Sequence, residues 1–141
     1  MNVFVPYREP FKCAQCLDPR RLNKQIIECQ QILDAIHGYT NAWANHPCVL
    51  QYNAYPTFIR LYRDCLLSYK YGNIVDARIK SNKALEYLPS FITEGFCINM
   101  RKRLYTKDPE YYFLFKQYGT TEENWYFVNG ELCKYINGKQ V

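Results

Sequence analysis

DPRRLNKQIIECQQILDAIHG, residues 18–38, carries the signals of one complete amphipathic helix. Asp18 suits the N-cap, because its carboxylate can accept from the free amides of the first turn. Pro19 suits the first helical position, where no amide donor is required. From there Leu22, Ile26, Cys29, Leu33 and Ile36 recur at three- and four-residue spacing, which puts them on one face of a 3.6-residue helix. Gly38 supplies the stop, since glycine tolerates the left-handed conformation in which helices end.

The same punctuation continues to either side. The spacing predicts a short helix over Pro10–Leu17, a helical turn at Pro47–Tyr52 and a long helix from Pro56 to Tyr71. The long one places Phe58, Leu61, Tyr62, Cys65, Leu66 and Tyr69 on its buried side, with Gly72 beyond it. Further helices are expected over residues 74–88, ended by Pro89, from Glu94 to Tyr105 behind a Thr93 cap, and from Asp108-Pro109 to Gly119. The tail changes character: Trp125–Val128, then Asn129-Gly130, then Leu132–Ile136 reads as a hairpin, because Asn-Gly suits a type I′ turn. The expected fold is therefore mainly α, a compact single-domain helical fold over 1–141 with a small C-terminal β-hairpin.

Composition agrees with that reading and narrows the function. In 141 residues, 48% hydrophobic content is enough for one core, and 22% charge argues against disorder. No run reaches the ~20 apolar residues of a membrane helix, and the start MNVFVP lacks the features of a signal peptide. Seven cysteines without an export signal read as free thiols in a reducing, intracellular (cytoplasmic) setting. Cys13-x-x-Cys16 has no second pair to complete a zinc site, so neither metal nor cofactor is expected. The net charge of +5 is compatible with nucleic acid. Most of the 14 tyrosines read as core and boundary residues.

Chemistry concentrates on the quoted helix. Arg21, Lys24 or Gln25, and Glu28 share a face opposite the apolar stripe, and a solvated, ion-paired surface is the plain reading of such a face. Two features favour function. Arg20 and Arg21 stand in the first turn, where the helix macrodipole disfavours cations and an anion would be welcome. Glu28 is the sole carboxylate of residues 19–31, among three cations (Arg20, Arg21 and Lys24) and Gln25, which would keep it ionised and ready to stabilise a positive centre or take a proton. Arg101, Lys102, Arg103 and Lys107 form a second basic cluster. It reads either as a phosphate contact or as cations complementing a helix C-terminus. His46, with Trp43 and Pro47 in a short loop, is either a core histidine or a site residue.

The stretch Leu17–Leu33, with Trp43–Pro47 and Arg101–Pro109, resembles the pyrimidine-dimer DNA glycosylase (endonuclease V-type) family, in a branch distant from its well-studied phage members. The resemblance implies a bifunctional glycosylase/lyase in which an N-terminal α-amine attacks C1′ of the target nucleotide and a helix-borne Glu assists. Glu28 matches that Glu, and His46 a histidine near the abasic-site pocket. Arg21 stands where the family has a histidine, and Ile27 where it has an arginine, which leaves the excised base open.

Asn2 is large for efficient Met1 removal, so the amine is expected to be that of Met1. At pH 7.4 roughly a quarter of an ordinary α-amine is neutral, against about 0.1% of an ordinary lysine. Lys24 could substitute only if desolvated or crowded by Arg20 and Arg21. The expected DNA contacts are Arg20, Arg21, Gln25, Arg101, Lys102, Arg103 and Lys107. The expected partner is duplex DNA with one nucleotide extruded, bound by a monomer. A binding module of the same fold without catalysis is the alternative, and a thiol or metal enzyme a third.

Overall fold

The computed structural model describes residues 1–141. Six α-helices are followed by a 3-10 helix and a small sheet: α1 (Pro10–Cys16), α2 (Pro19–Ile36), α3 (Pro47–Tyr52), α4 (Pro56–Lys70), α5 (Ile74–Leu85) and α6 (Glu94–Lys107), then Phe113–Tyr118, then β1 (Asn124–Val128), β2 (Glu131–Ile136) and β3 (Lys139–Gln140). The mainly α reading with a C-terminal hairpin holds. Asp18 accepts from the Arg21 amide at 3.3 Å as the N-cap of α2, and Gly38 follows it at φ +76°.

Two expectations need correction. Asp108 caps a turn by accepting from the Tyr111 amide, but no α-helix follows. The chain makes two turns and then the 3-10 helix, which Gly119 ends at φ +87°. The region is aromatic-rich, and the stacking of Tyr112 on Phe115 at 6.0 Å joins residues three apart, the spacing a 3-10 turn brings into line. The second correction is β3. Asn137-Gly138 repeats the signal at Asn129-Gly130, and all four residues have positive φ, so the hairpin continues into a third antiparallel strand, in the order β1-β2-β3.

Helices α2 and α4 pack together, α4 carries α1 and α5, and α3 meets β1. A core of Tyr52, Phe58, Tyr62, Ile32, Phe96 and Met100, all fully buried, fills the space between them. The element that positions the site has no regular structure. Residues 1–6 run as an extended strap through this core, with Val3 and Val5 fully buried. The Tyr62 hydroxyl donates to the Phe4 carbonyl, and Arg101 Nε donates to the Pro6 carbonyl at 2.7 Å. An extended segment leaves its own backbone groups unpaired, so side chains of α2, α4 and α6 supply the partners.

Candidate active site

Helix α2 presents Gln25 and Glu28 to this strap. Gln25, only 2% exposed, clamps it from both sides of its amide. Its Nε2 donates to the Asn2 carbonyl at 3.0 Å, and its Oε1 accepts from the Phe4 amide at 2.7 Å. One turn on, Glu28 Oε2 accepts from the Asn2 amide at 2.9 Å. Both side chains are buried, so the face that reads as solvated is an internal polar seam. Consecutive backbone nitrogens are at most about 3.7 Å apart, so the Met1 amine lies within about 6.6 Å of Glu28 Oε2. The fold thus holds the chain's first nitrogen near Glu28, the sole carboxylate of residues 19–31.

Around this pair opens a cleft of about 640 Å³, bounded by Met1, Glu28, His46, Arg103, Asn124 and Tyr126 among others. Its mouth is cationic. Arg20, Arg21, Lys24 and Lys107 all line it. Lys24 Nζ lies 3.8 Å from Glu28 Oε1, its side chain 72% exposed, so the desolvation that a nucleophilic lysine requires is absent there. Lys107 is exposed at the rim. Loss of water around its ammonium, then the nearby charges of Arg103, Arg21 and Lys24, hold its pKa below the usual lysine value.

Arg21 is less free than its position in the sequence implies. Its guanidinium meets Asp18 at 3.1 Å and Asp108 at 3.9 Å, so carboxylates of the protein already answer its charge. The same Asp18 receives the Tyr112 hydroxyl. Burial alone would raise its pKa, but the hydrogen bonds from Tyr112 and Arg21 outweigh it and hold the carboxyl low. Arg20 forms no ion pair and stays exposed. Ile27 points outward at 59% exposure.

His46 is the N-cap of α3, its Nδ1 accepting from the Cys48 amide at 3.1 Å, so the neutral ring carries its proton on Nε2. Burial lowers its pKa, the positive N-terminal amine lowers it further, and Glu28 opposes both. The imidazole packs edge-on against Tyr126 at 5.9 Å and against Trp43 at 5.7 Å. Trp43 is 48% exposed and sits at φ +66°, an uncommon conformation for a bulky residue.

The second basic cluster divides. Arg101 is the clearest correction among the expected DNA contacts. It is 4% exposed, bound to the Pro6 carbonyl and to Glu94 at 2.8 Å, and stacked over the Tyr7 ring at 4.4 Å. A guanidinium so occupied holds the strap and has no face left for phosphate. Arg103 is also buried, but in the wall of the cleft, over the Phe4 ring at 4.9 Å. Lys102 is half-buried outside the cleft. Helix α6 is covered on several sides, so its cations do not share one exposed face.

Asn2, Asn124, Tyr126 and Tyr135 line the cleft without being foreseen. Only the Asn137-Gly138 turn signal could have shown that the sheet reaches this far. Burial pushes the Cys16 and Cys48 thiols up to about 12, all seven cysteines are free, and no group of three or more His, Cys, Asp or Glu side chains could hold a metal ion. No helix is long and apolar enough to cross a membrane.

Fold and cleft define a small helical protein whose cationic-mouthed cleft lies beside one carboxylate and the N-terminal strap. Residues 1–68 match the family described as pyrimidine dimer DNA glycosylase. That match supports the family resemblance and points to DNA glycosylase chemistry with DNA as partner. It spans the strap, Glu28, His46 and most of α4. No curated protein and no solved structure matches the chain.

Proposed function

We propose that this protein is a DNA glycosylase that removes a damaged or modified base through its N-terminal amine, with an abasic-site lyase step to follow. The observation that carries the reading is the hydrogen bond from the Asn2 amide to Glu28 Oε2, which tethers the terminus beside the carboxylate. The neutral amine adds to C1′ of an extruded nucleotide, and the bond from C1′ to the base breaks, its electron pair leaving with the base. Glu28 takes the proton that the amine loses and balances the positive charge that develops on the sugar. Ring opening then gives an imine between the amine and C1′. Through that imine the 3′ phosphate can leave by β-elimination, and water releases the amine.

The rest of the cleft supports the same chemistry. Arg20, Lys24 and Lys107 stand at the mouth, where flanking phosphates would lie. His46 Nε2–H is a donor at the sugar end. Met1 is the expected nucleophile. Were Met1 trimmed, the α-amine of Asn2 would take the place of an amide now 2.9 Å from Glu28 Oε2. Either way Lys24 is the less suitable amine.

One observation favours a non-catalytic alternative. Glu28 already has a structural task in pinning the strap, and a DNA-binding module would need no more of it. Borohydride reduction in the presence of abasic-site duplex separates the two. A glycosylase/lyase is trapped as a covalent adduct that Glu28→Gln forms far more slowly. A binding module gives none, and its Glu28→Gln variant keeps full affinity.

A further inference from the structure

Trp43 is a bulky residue in a backbone position that favours glycine. One turn closes from the Ala44 amide to the Asn41 carbonyl at 3.3 Å, and the next from the His46 amide to the Trp43 carbonyl at 2.9 Å. Trp43 is the third residue of the first turn and sits at φ +66°, where a Cβ crowds the backbone and Gly or Asn is usual. Burial gives little in return, because the residue stays 48% exposed. Strain kept against the folding preference is a recognised mark of a functional position. The overlapping turns also hold the ring stiffly, since the loop closes directly onto the cap of α3.

The ring leads toward the cleft. Its edge contact with His46 at 5.7 Å continues from His46 to Tyr126 at 5.9 Å, and both of those residues line the cleft beside Glu28. Trp43 does not line it. The indole therefore stands one ring outside the cleft wall, half in solvent, on the loop before α3. Tyr39 is more exposed still, but it lines a separate hollow with His37 and Arg60.

A nucleotide drawn into the cleft leaves a gap in the base stack. Two aromatic faces border that gap, and a flat, uncharged ring is the group that suits it. Stacking of a base on an aromatic side chain is strong and tolerant of sequence, whereas a phosphate gains nothing from an indole. We infer that Trp43 stacks in the duplex where the extruded nucleotide has left, and so holds the gap open while the nucleotide occupies the cleft. The inference rests on the DNA-glycosylase reading for its ligand, but its test needs no turnover.

Binding is measured by fluorescence anisotropy on a fully paired duplex and on one carrying a single tetrahydrofuran abasic analogue, which presents the gap with no base to capture. The wild type is expected to prefer the gapped duplex by about tenfold, the scale of one stacked base. Trp43→Gly suits the backbone at this φ, so it should melt within a few degrees of wild type. It is expected to lose the preference, while affinity for paired duplex, set by phosphate contacts, stays within about twofold and the salt slope is unchanged. Trp43→Phe keeps a ring and most of the preference. In a Trp125→Phe background, the gapped duplex should shield Trp43 emission from acrylamide and the paired one should not.

Equal binding of the two duplexes by the wild type overturns the inference. So does a Trp43→Gly variant that keeps the preference or loses affinity equally for both duplexes, and so does equal shielding by both. A wild type that forms the borohydride adduct while Trp43→Gly binds unchanged overturns this inference alone. Stacking without any adduct overturns the catalytic reading and leaves this one standing, and failure to bind either duplex overturns both.

Discussion

Replacing Gln25 with alanine should free the N-terminal strap while leaving α2 intact. Alanine is the better helix former, so nothing local to α2 is lost. What is lost is the two-sided clamp, the donor to the Asn2 carbonyl and the acceptor for the Phe4 amide. Truncation leaves both backbone groups without a partner in a closed site, at about 1–3 kcal/mol each if the strap stays put. The strap can instead peel back and let water in, so the net cost is about 2–3 kcal/mol. For 141 residues the entropy of unfolding is about 0.3 kcal/mol/K, which converts that cost to a melting point about 7–10 °C lower. Peeling also separates the terminus from Glu28, so adduct formation should fall by more than tenfold at temperatures where the variant is fully folded. Hydrogen exchange at the Phe4 amide is the direct assay, because that proton is bound by Gln25 alone. A melting point within 2 °C of wild type, with Phe4 exchange still slow, would refute the clamp.

Three other outcomes follow from the geometry. Glu28→Gln keeps an oxygen that can accept from the Asn2 amide but removes the charge, so the melting point should move by only a few degrees while single-turnover base release drops at least a hundredfold. Asp18→Asn keeps the helix cap but loses the charge that Tyr112 and Arg21 hold in place. The folded state holds this carboxyl below its unfolded pKa of about 3.9, so its contribution of about 1–2 kcal/mol is present above that pH and fades as pH falls through the lower folded value. Urea melts should show a deficit at pH 7 that shrinks toward pH 3, and a constant deficit would count against the assignment. A disulfide reagent at pH 8 should label only the part-exposed Cys133 quickly, since Cys13, Cys29, Cys48, Cys65 and Cys97 are buried and burial raises both those thiols and Cys16. Rapid modification of a second thiol would show that the core opens.

The helices were legible because their ends are written in local chemistry. Asp18-Pro19, Pro47 and Pro56 mark starts that depend on nothing distant, and α3 was readable from end to end. Residues 109–118 were misread because Asp-Pro announces a turn in either helix type, and the aromatic stacking that selects the tighter winding lies in the packed structure. Glu28 and the basic mouth of the cleft were readable from one helix. The strap was not, since Gln25 looks like any solvated glutamine until a segment 21 residues away supplies its partner. Arg101 and Arg103 looked alike in sequence for the same reason. Two residues apart on a covered helix they point to different neighbours, one to the strap and Glu94, the other to the cleft.

The account stands or falls on which amine becomes attached to DNA. Borohydride trapping on abasic-site duplex, followed by nuclease digestion and mass mapping of the tryptic peptides, identifies that amine and reports in the same spectrum whether Met1 is present. The adduct should sit on the N-terminal peptide, on the Met1 α-amine or, in any trimmed fraction, on that of Asn2. A sugar remnant on the Lys24 side chain, or no adduct from a protein that still releases base, would contradict the central role given to the tethered terminus.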